Sequence, residues 1–425
     1  MAIEDLKIPR IQTDWSRLQL APYDFRTLSN GAQLYQIQSN KPGLCSLEIV
    51  FRNGRWGERK KLAARMTANL IQDGNLQYST DQVADTIDFY GANLSIHADL
   101  DFTVISMSCL QKHFDFLMSF LAELLIEPAF READLVKSKV FMNSQLQHQL
   151  SEPDYVSYRE FTSLIYGRDS VYGYNTSPEL IEAIQREDLV TYQRENYVAG
   201  LMSVFYCGEL GPAADQLFER VLNPFPTGAS GPVKLSNNPV PPTETRHFPI
   251  EHCAQFSLKM GLRCFPKVHP DFYGLYVLNA ILGDYFGSRL MKSLREDKGY
   301  TYDIHSTLDA QVYDGCFYIS AELNPDKSED AIRLIQHEMD ILRTRLVPEK
   351  ELEMVRNYLC GNIMRLLDGP FQTMVFLKIL VMEYGGPKAF HQLLTEIVEV
   401  RPERLRELAI QYLDPEKMTR VTAGA

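Results

Sequence analysis

Apolar and polar residues alternate along several short stretches of this chain, and elsewhere apolar residues recur at helical spacing. Alternating or continuously apolar runs predict strands at Ala32–Ile37, Cys45–Phe51, Leu94–His97, Thr103–Cys109 and Ser203–Cys207. The later runs Ala254–Leu262, Tyr302–Leu308, Gly315–Leu323 and Thr419–Thr422 predict strands too. Helical spacing predicts helices at Leu62–Asp73, Thr80–Tyr90, Lys112–Leu125, Glu132–Leu150, Pro178–Gln185 and Arg186–Tyr197. A second set follows at Phe272–Leu282, Ser328–Arg345, Lys350–Leu367, Phe371–Tyr384, Pro387–Val398 and Pro402–Tyr412. In Lys112–Leu125 the residues Phe116, Leu117, Phe120, Leu121 and Leu124 share one face. This interleaving predicts an α+β fold, with antiparallel sheets covered by helices.

One stretch breaks the pattern. Pro224–Arg246 is rich in Pro, Gly, Ser and Asn and poor in large apolar residues, as an exposed linker would be. It predicts an N-terminal domain over 1–223, a linker over 224–246 and a C-terminal domain over 247–425. A chain of 425 residues is too long for one ordinary core and suits two such domains. The halves look alike. Ala129–Val140 and Leu346–Arg356 both open a helix with acidic first-turn residues, which suits the positive end of a helix dipole. Pairing Leu135 with Leu352 sets an offset of 217 residues. Carried back without gaps, it lays Leu62–Asp73 on Asn279–Leu290 and Phe102–Cys109 near Phe317–Ala321. An internal duplication is the expectation; two α+β domains with common patterns would look similar.

The net charge of −12 argues against non-specific nucleic-acid binding and against docking on anionic lipid. No window offers the roughly 20 apolar residues of a membrane span. Met1–Trp15 has early acidic residues and no apolar run of signal-peptide length. The seven cysteines are scattered and form no Cys-x-x-Cys, which fits free thiols in a reducing compartment. The expected location is the cytoplasm, or the periplasm if a leader has been removed.

The sharpest local motif is Gly287–Ile304, GSRLMKSLREDKGYTYDI. It resembles a segment of the C-terminal domain of insulinase-like (M16) peptidases: Ser-Arg-Leu, a short helix, Leu-Arg-Glu, two charged residues, Gly, then Tyr. Ser288, Arg289, Leu290, Leu294, Arg295, Glu296, Asp297, Lys298, Gly299 and Tyr302 fill it. The resemblance implies that Arg295 and Tyr302 bind the substrate backbone near the scissile carbonyl. Peptide hydrolysis builds negative charge on that oxygen, and a guanidinium and a phenol are donors that can meet it. The bland alternative is an Arg295 paired with a surface carboxylate and a Tyr302 packed in a sheet. The similarity extends along nearly the whole chain, through Gly31–Gly57, Thr80–Leu94 and Tyr166–Leu189. It implies two duplicated M16/LuxS-like domains.

Active members of that family carry His-x-x-Glu-His on the first long helix and a downstream Glu as third zinc ligand. The matching stretch here is Ala64–Asn75, ARMTANLIQDGN. The resemblance places the histidine positions on Arg65 and Asn69, the catalytic glutamate on Ala68 and the third ligand on Gln145. Arginine offers no lone pair, alanine no base, and neutral amides are poor zinc ligands beside imidazole and carboxylate. A one-residue slip does not help, because Lys60–Asp73 contains neither His nor Glu. The first half has only His97, His113 and His148, with no ligand-like spacing. In the second half His247 and His252 lack a companion carboxylate motif, and His305 lies three residues past Tyr302.

No Gly-x-Gly-x-x-Gly after a strand, Walker loop or Gly-x-Ser-x-Gly elbow is present. The expected function is therefore a catalytically silent M16 subunit that binds no metal itself. It would pair with a half-size chain carrying His-x-x-Glu-His and zinc, and would lend that chain Arg295 and Tyr302 for cleavage of unfolded peptides. The alternative is a non-enzymatic peptide-binding or scaffold subunit of a larger complex.

Overall fold

The computed structural model describes residues 15–39, 41, 43–228, 243–251, 253 and 256–424. His252 and most of the expected linker lie outside them. Of its flanks, Phe225 is buried against Phe51, and a strand begins at Thr245.

The first sheet comprises β1 (Asp24–Thr27), β2 (Gln33–Gln38), β3 (Leu44–Phe51), β4 (Asn93–Ala98), β5 (Thr103–Leu110) and β6 (Met202–Gly208), in the spatial order β1-β2-β6-β3-β5-β4. The second comprises β7 (Thr245–Pro249), β8 (Phe256–Arg263), β9 (Thr301–Ala310), β10 (Gly315–Leu323) and β11 (Thr419–Gly424), in the order β7-β11-β8-β10-β9. Replacing β2, β6, β3, β5 and β4 by β7, β11, β8, β10 and β9 converts one order into the other. β6 is buried along its whole length because it is central and covered on both faces, which is why it reads as one apolar run rather than an alternation.

The expectation of purely antiparallel sheets needs correction: both are mixed. β2 pairs in parallel with β6, and β11 in parallel with β7. A parallel pair needs a long connection between its strands. Here nearly the whole of each domain supplies it, a separation that local patterning does not report.

The first-half helices are α1 (Ala63–Ile71), α2 (Thr80–Phe89), α3 (Phe114–Ile126), α4 (Glu132–Gln149), α5 (Pro153–Tyr166), α6 (Pro178–Ala183), α7 (Arg186–Asn196) and α8 (Pro212–Leu222). The second half has α9 (Phe272–Leu282), α10 (Ser328–Thr344), α11 (Glu349–Leu366), α12 (Pro370–Glu383), α13 (Ala389–Glu399) and α14 (Pro402–Tyr412). Their starts follow local chemistry: α2 opens on a Ser79–Gln82 capping box, and α6 on the Ser177 hydroxyl followed by Pro178. α4 and α5 lie 217 residues before α11 and α12, the offset read from the sequence. The ungapped extension toward the N-terminus fails. The counterpart of α1 is α9, Phe272–Leu282, and not Asn279–Leu290; α10, with 17 residues against the 13 of α3, accounts for part of that displacement.

Each sheet has one face buried under helices of its own half. The opposite faces are covered by exchange. α5 of the first half packs Phe161, Ile165 and Tyr166 on the second sheet near Cys316 and Val421. α12 of the second half packs Met374, Leu377 and Val381 on the first sheet against Val50, Phe205 and Cys207.

One ion pair with a buried member on the sheet fastens each exchanged helix. Glu48 on β3, opposite Ser106 and Phe205, meets Lys378 of α12 at 2.5 Å. Lys259 on β8, opposite Ser320 and Val421, meets Asp154 of α5 and donates to Ser320 Oγ at 2.6 Å. Glu48 and Lys259 hold equivalent positions on the two sheets and carry opposite charge. Asp154 and Lys378 stand at different turns of the two helices: at the 217-residue offset Asp154 falls on Phe371 and Lys378 on Phe161, so each pair fastens its own helix in its own way.

A third contact between the halves comes from the turn joining β9 to β10. Asp101, buried in the first half, accepts from Trp56 Nε1 (2.8 Å), Tyr172 Oη (2.5 Å) and the backbone N–H of Val312 (3.0 Å). Tyr313 stacks edge-on against Trp56 beside it.

Candidate active-site residues

The segment Gly287–Ile304 is built from its buried residues outward. Ser288, Leu290 and Leu294 are buried and fix a short helix over Met291–Glu296 to the core of the second domain. That helix is wide-turned, with the Asp297 N–H returning to the Lys292 carbonyl five residues back (2.9 Å). Gly299 at φ +63° ends it, and the Gly299 and Tyr300 amides return to the Arg295 and Leu294 carbonyls. π-type turns of this kind are rare and concentrate at functional sites.

The motif's two arginines differ in their partners. Arg289 is clamped by Glu351 of α11 through two bonds of 2.8 Å, from Nε and Nη2. Such a bidentate pair fixes the helix to the domain. Arg295 forms no ion pair among the described residues; its guanidinium lies 5.2 Å from the ring centre of Phe286, itself 61% exposed. Tyr302, second residue of β9, is 90% exposed. Arg295 is thus not paired with a surface carboxylate, and Tyr302 is not packed in a sheet. Neither donor forms an ion pair among the described residues; Arg295 rests over Phe286 and Tyr302 reaches solvent from the edge strand β9.

The four positions that the resemblance assigns to the metal set are placed as follows. Arg65 and Gln145, 80 residues apart in sequence, meet on α1 and α4, with Arg65 Nη2 donating to Gln145 Oε1 at 3.1 Å. Ala68 is sealed in the core at 0% exposure, so a reacting group at that point would have to displace core atoms. Asn69 is exposed and lines a separate groove with Gln72, Asp73 and Lys137. The structure therefore brings together two of the four. No group of three His, Cys, Asp or Glu able to hold a metal ion occurs among the described residues. The decisive point is chemical: a guanidinium and an amide hydrogen-bonded to each other are not a zinc site.

The remaining histidines are engaged elsewhere. His97 lies 3.4 Å from Asp99, which raises its pKa. His148 pairs with Glu152, His305 with Asp303, and His247 with the Thr422 hydroxyl.

Arg65 lines a cleft of about 620 Å³ between the two halves, together with Arg55. Arg55 lies over the ring of Tyr174 at 4.3 Å and donates to the carbonyls of Val171 (3.4 Å) and Tyr174 (3.2 Å). Nothing in its sequence neighbourhood, Asn53-Gly54-Arg55, announces this position. Burial lowers the Arg65 pKa from its ordinary value, and Arg55 pushes it the same way. Nearby, Glu58 accepts from Tyr174 Oη (2.7 Å) and the Ala64 N–H (3.0 Å), while burial raises its pKa.

Comparison with known proteins agrees with this geometry. Residues 37–171 match the insulinase family, peptidase family M16, and residues 183–359 match the peptidase M16 inactive domain. The chain belongs to peptidase family M16. It is 23% identical to the uncharacterized zinc protease YmxG of Bacillus subtilis, over 91% of this chain and 94% of that protein. It is 22% identical to the mitochondrial-processing peptidase subunit alpha of Pongo abelii, over 91% of this chain and 79% of that one. The crystal structure of a peptidase M16 inactive domain from Pseudomonas fluorescens superposes with a TM-score of 0.86 at 21% identity, covering 95% of this chain and 98% of that one. Within M16, this chain is a non-catalytic subunit: it has the family fold and lacks the zinc-binding side chains. No helix among the described residues is long and apolar enough to cross a membrane.

Proposed function

We propose that this chain is the silent half of a two-chain M16 peptidase, supplying Arg295 and Tyr302 to the zinc site of a half-size partner with His-x-x-Glu-His. The observation that carries the reading is the contrast within one motif. Arg289 is locked to Glu351, while Arg295, half-buried over Phe286, forms no ion pair among the described residues and Tyr302 is exposed. Two unpaired donors serve this fold no stabilising purpose, yet they suit an oxygen that gains charge during amide hydrolysis.

The chain's own first half is a poor recipient. Tyr302 precedes Asp309, which lines the cleft holding Arg65, by seven residues, about 23 Å of extended strand. The substrate class is an unfolded peptide, bound in the space between the two chains. The cytoplasm remains the proposed location.

The test is to purify the chain with the zinc-bearing partner and measure peptide cleavage. Arg295→Ala should lower the rate of the pair by about 100-fold while leaving association intact. An unchanged rate would leave the second reading, a peptide-binding or scaffold subunit, as the function.

A further inference from the structure

We infer that the cleft between the halves, at the place of the lost zinc, is a receptor for a peptide carboxylate held by Arg65 and Arg55. The inference rests on the reading of this chain as a peptide-handling subunit, and gives it a binding role of its own.

Two of the three cations that line the cleft, Arg65 and Arg55, form no ion pair among the described residues, and the third, Lys267, pairs with Glu383. A guanidinium presents five N–H donors and keeps its charge. Arg65 gives one of its bonds to the neutral amide of Gln145, and Arg55 gives its bonds to two neutral carbonyls. Neither pairs with a carboxylate among the described residues. The four acids that line the same cleft are occupied. Asp101 is held by Trp56, Tyr172 and Val312, and Glu383 by Lys267. Asp309 accepts from Tyr158 Oη (3.0 Å) and Gln311 Nε2 (2.5 Å), and Asp99 faces His97. Two half-buried cations of like sign on one cleft gain from an anion that joins them. The lowered pKa of Arg65, caused first by burial and then opposed by Tyr155 before Arg55 adds to it, reports the same tension.

A carboxylate fits what is offered, because its two oxygens match the planar donor fork of a guanidinium. At about 620 Å³ the cleft has the size of an ordinary ligand site and admits a few residues of chain with the carboxylate. The group can come from the end of a peptide or from an acidic side chain. Where a metal-bearing relative would hold a peptide oxygen by a divalent cation, this chain offers fixed guanidinium charge and no means of cleavage.

The test uses the full chain without its partner and three fluorophore-labelled nonapeptides of Ala, Gly and Ser. One ends in a free carboxylate, one in an amide, and one in an amide with a single central Glu. Fluorescence anisotropy should show at least one acid-bearing peptide binding about 10-fold or more tighter than the uncharged amide. The tighter of the two names the source of the carboxylate. Arg65→Met should erase the preference, and Arg65→Lys should keep part of it.

Equal binding of all three peptides, no binding at millimolar concentration, or a preference that survives Arg65→Met would overturn the inference. Thermal melts check that the variants fold. If Arg65→Met does not, Arg55→Met and Arg65→Lys carry the comparison, and a preference unchanged in both overturns it. The outcome is separable from the reading above. A pair that needs Arg295 but whose silent chain ignores carboxylates would keep that reading and sink this one.

Discussion

The two halves share one sheet order and exchange one helix each, but they keep different things open. In the first half Arg65 bonds Gln145 and lines the cleft between the halves, and Ala68 is core. In the second half the short helix after α9 and the start of β9 present Arg295, which forms no ion pair among the described residues, and an exposed Tyr302. The halves also invert their buried charge, Glu48 in one sheet and Lys259 in the other. Packing and chemistry are thus separable here. The shared topology rests on apolar faces, whereas the charged residues that fasten each exchanged helix differ between the halves in sign and in position.

The largest effects are expected where the inverted charges can be unbalanced. Lys378→Ala leaves Glu48, whose side chain is 9% exposed, without its partner, and should cost about 3–5 kcal/mol in urea unfolding. Asp154→Ala is milder. Its carboxylate is already 55% exposed, and Lys259 keeps Ser320, so the expected loss is about 1.5–3 kcal/mol. Adding Glu48→Gln to Lys378→Ala should recover part of the first loss in a double-mutant cycle. Equal losses for the two single variants would mean that the two ion pairs do not differ in burial as described.

Next comes the contrast between the two arginines of one motif. Arg295→Ala should leave stability unchanged within about 0.5 kcal/mol and lower the rate of the assembled pair by about 100-fold. Tyr302→Phe, which removes only the hydroxyl, should follow it with a smaller loss of rate. Arg289→Ala should do the reverse of Arg295→Ala in stability, costing about 1.5–3 kcal/mol through the abandoned Glu351. If Arg289→Ala spares stability, the motif's two arginines are not divided between structure and chemistry.

Much of this is legible from the residues. Strands β3, β5 and β10 and helices α9 and α14 follow periodicity, and Gly299 marks a helix end as a left-handed glycine should. The meeting of Arg65 with Gln145 is implied by resemblance alone and could not come from spacing. Helix α5 escapes the periodicity. Its sequence, PDYVSYREFTSLIY, mixes aromatic and hydroxyl residues, since it lies on a foreign sheet where Ser157 bonds Ser257 and Asp154 meets Lys259. A helix whose polar residues are satisfied by a distant strand shows no clean apolar stripe. The parallel pairs are illegible for a related reason, because each joins strands separated by most of a domain.

The smallest effect concerns the joint between the halves. Asp101 is drawn two ways: burial raises its pKa, while Tyr172, Val312 and Trp56 donate to it and lower the value, and burial prevails. A carboxyl whose folded pKa lies above its unfolded value binds more protons when folded within the interval between them. Its contribution to stability is therefore full below the ordinary value near 3.8 and is lost as the pH rises through the raised one. Asp101→Asn removes the titration. It also leaves one of the three donors without an acceptor, because an amide has one carbonyl oxygen where the carboxylate has two. That fixed loss is independent of pH. The expected signature is thus a difference in slope. From pH 7 toward pH 4, wild type should gain stability relative to the variant, by at most about 1.4 kcal/mol for each pH unit that separates the folded pKa from the unfolded one. Urea unfolding at several pH values measures it. A wild type that weakens relative to Asp101→Asn on acidification would show that the three donors outweigh burial, and that the halves are joined through a charge the fold holds ionised.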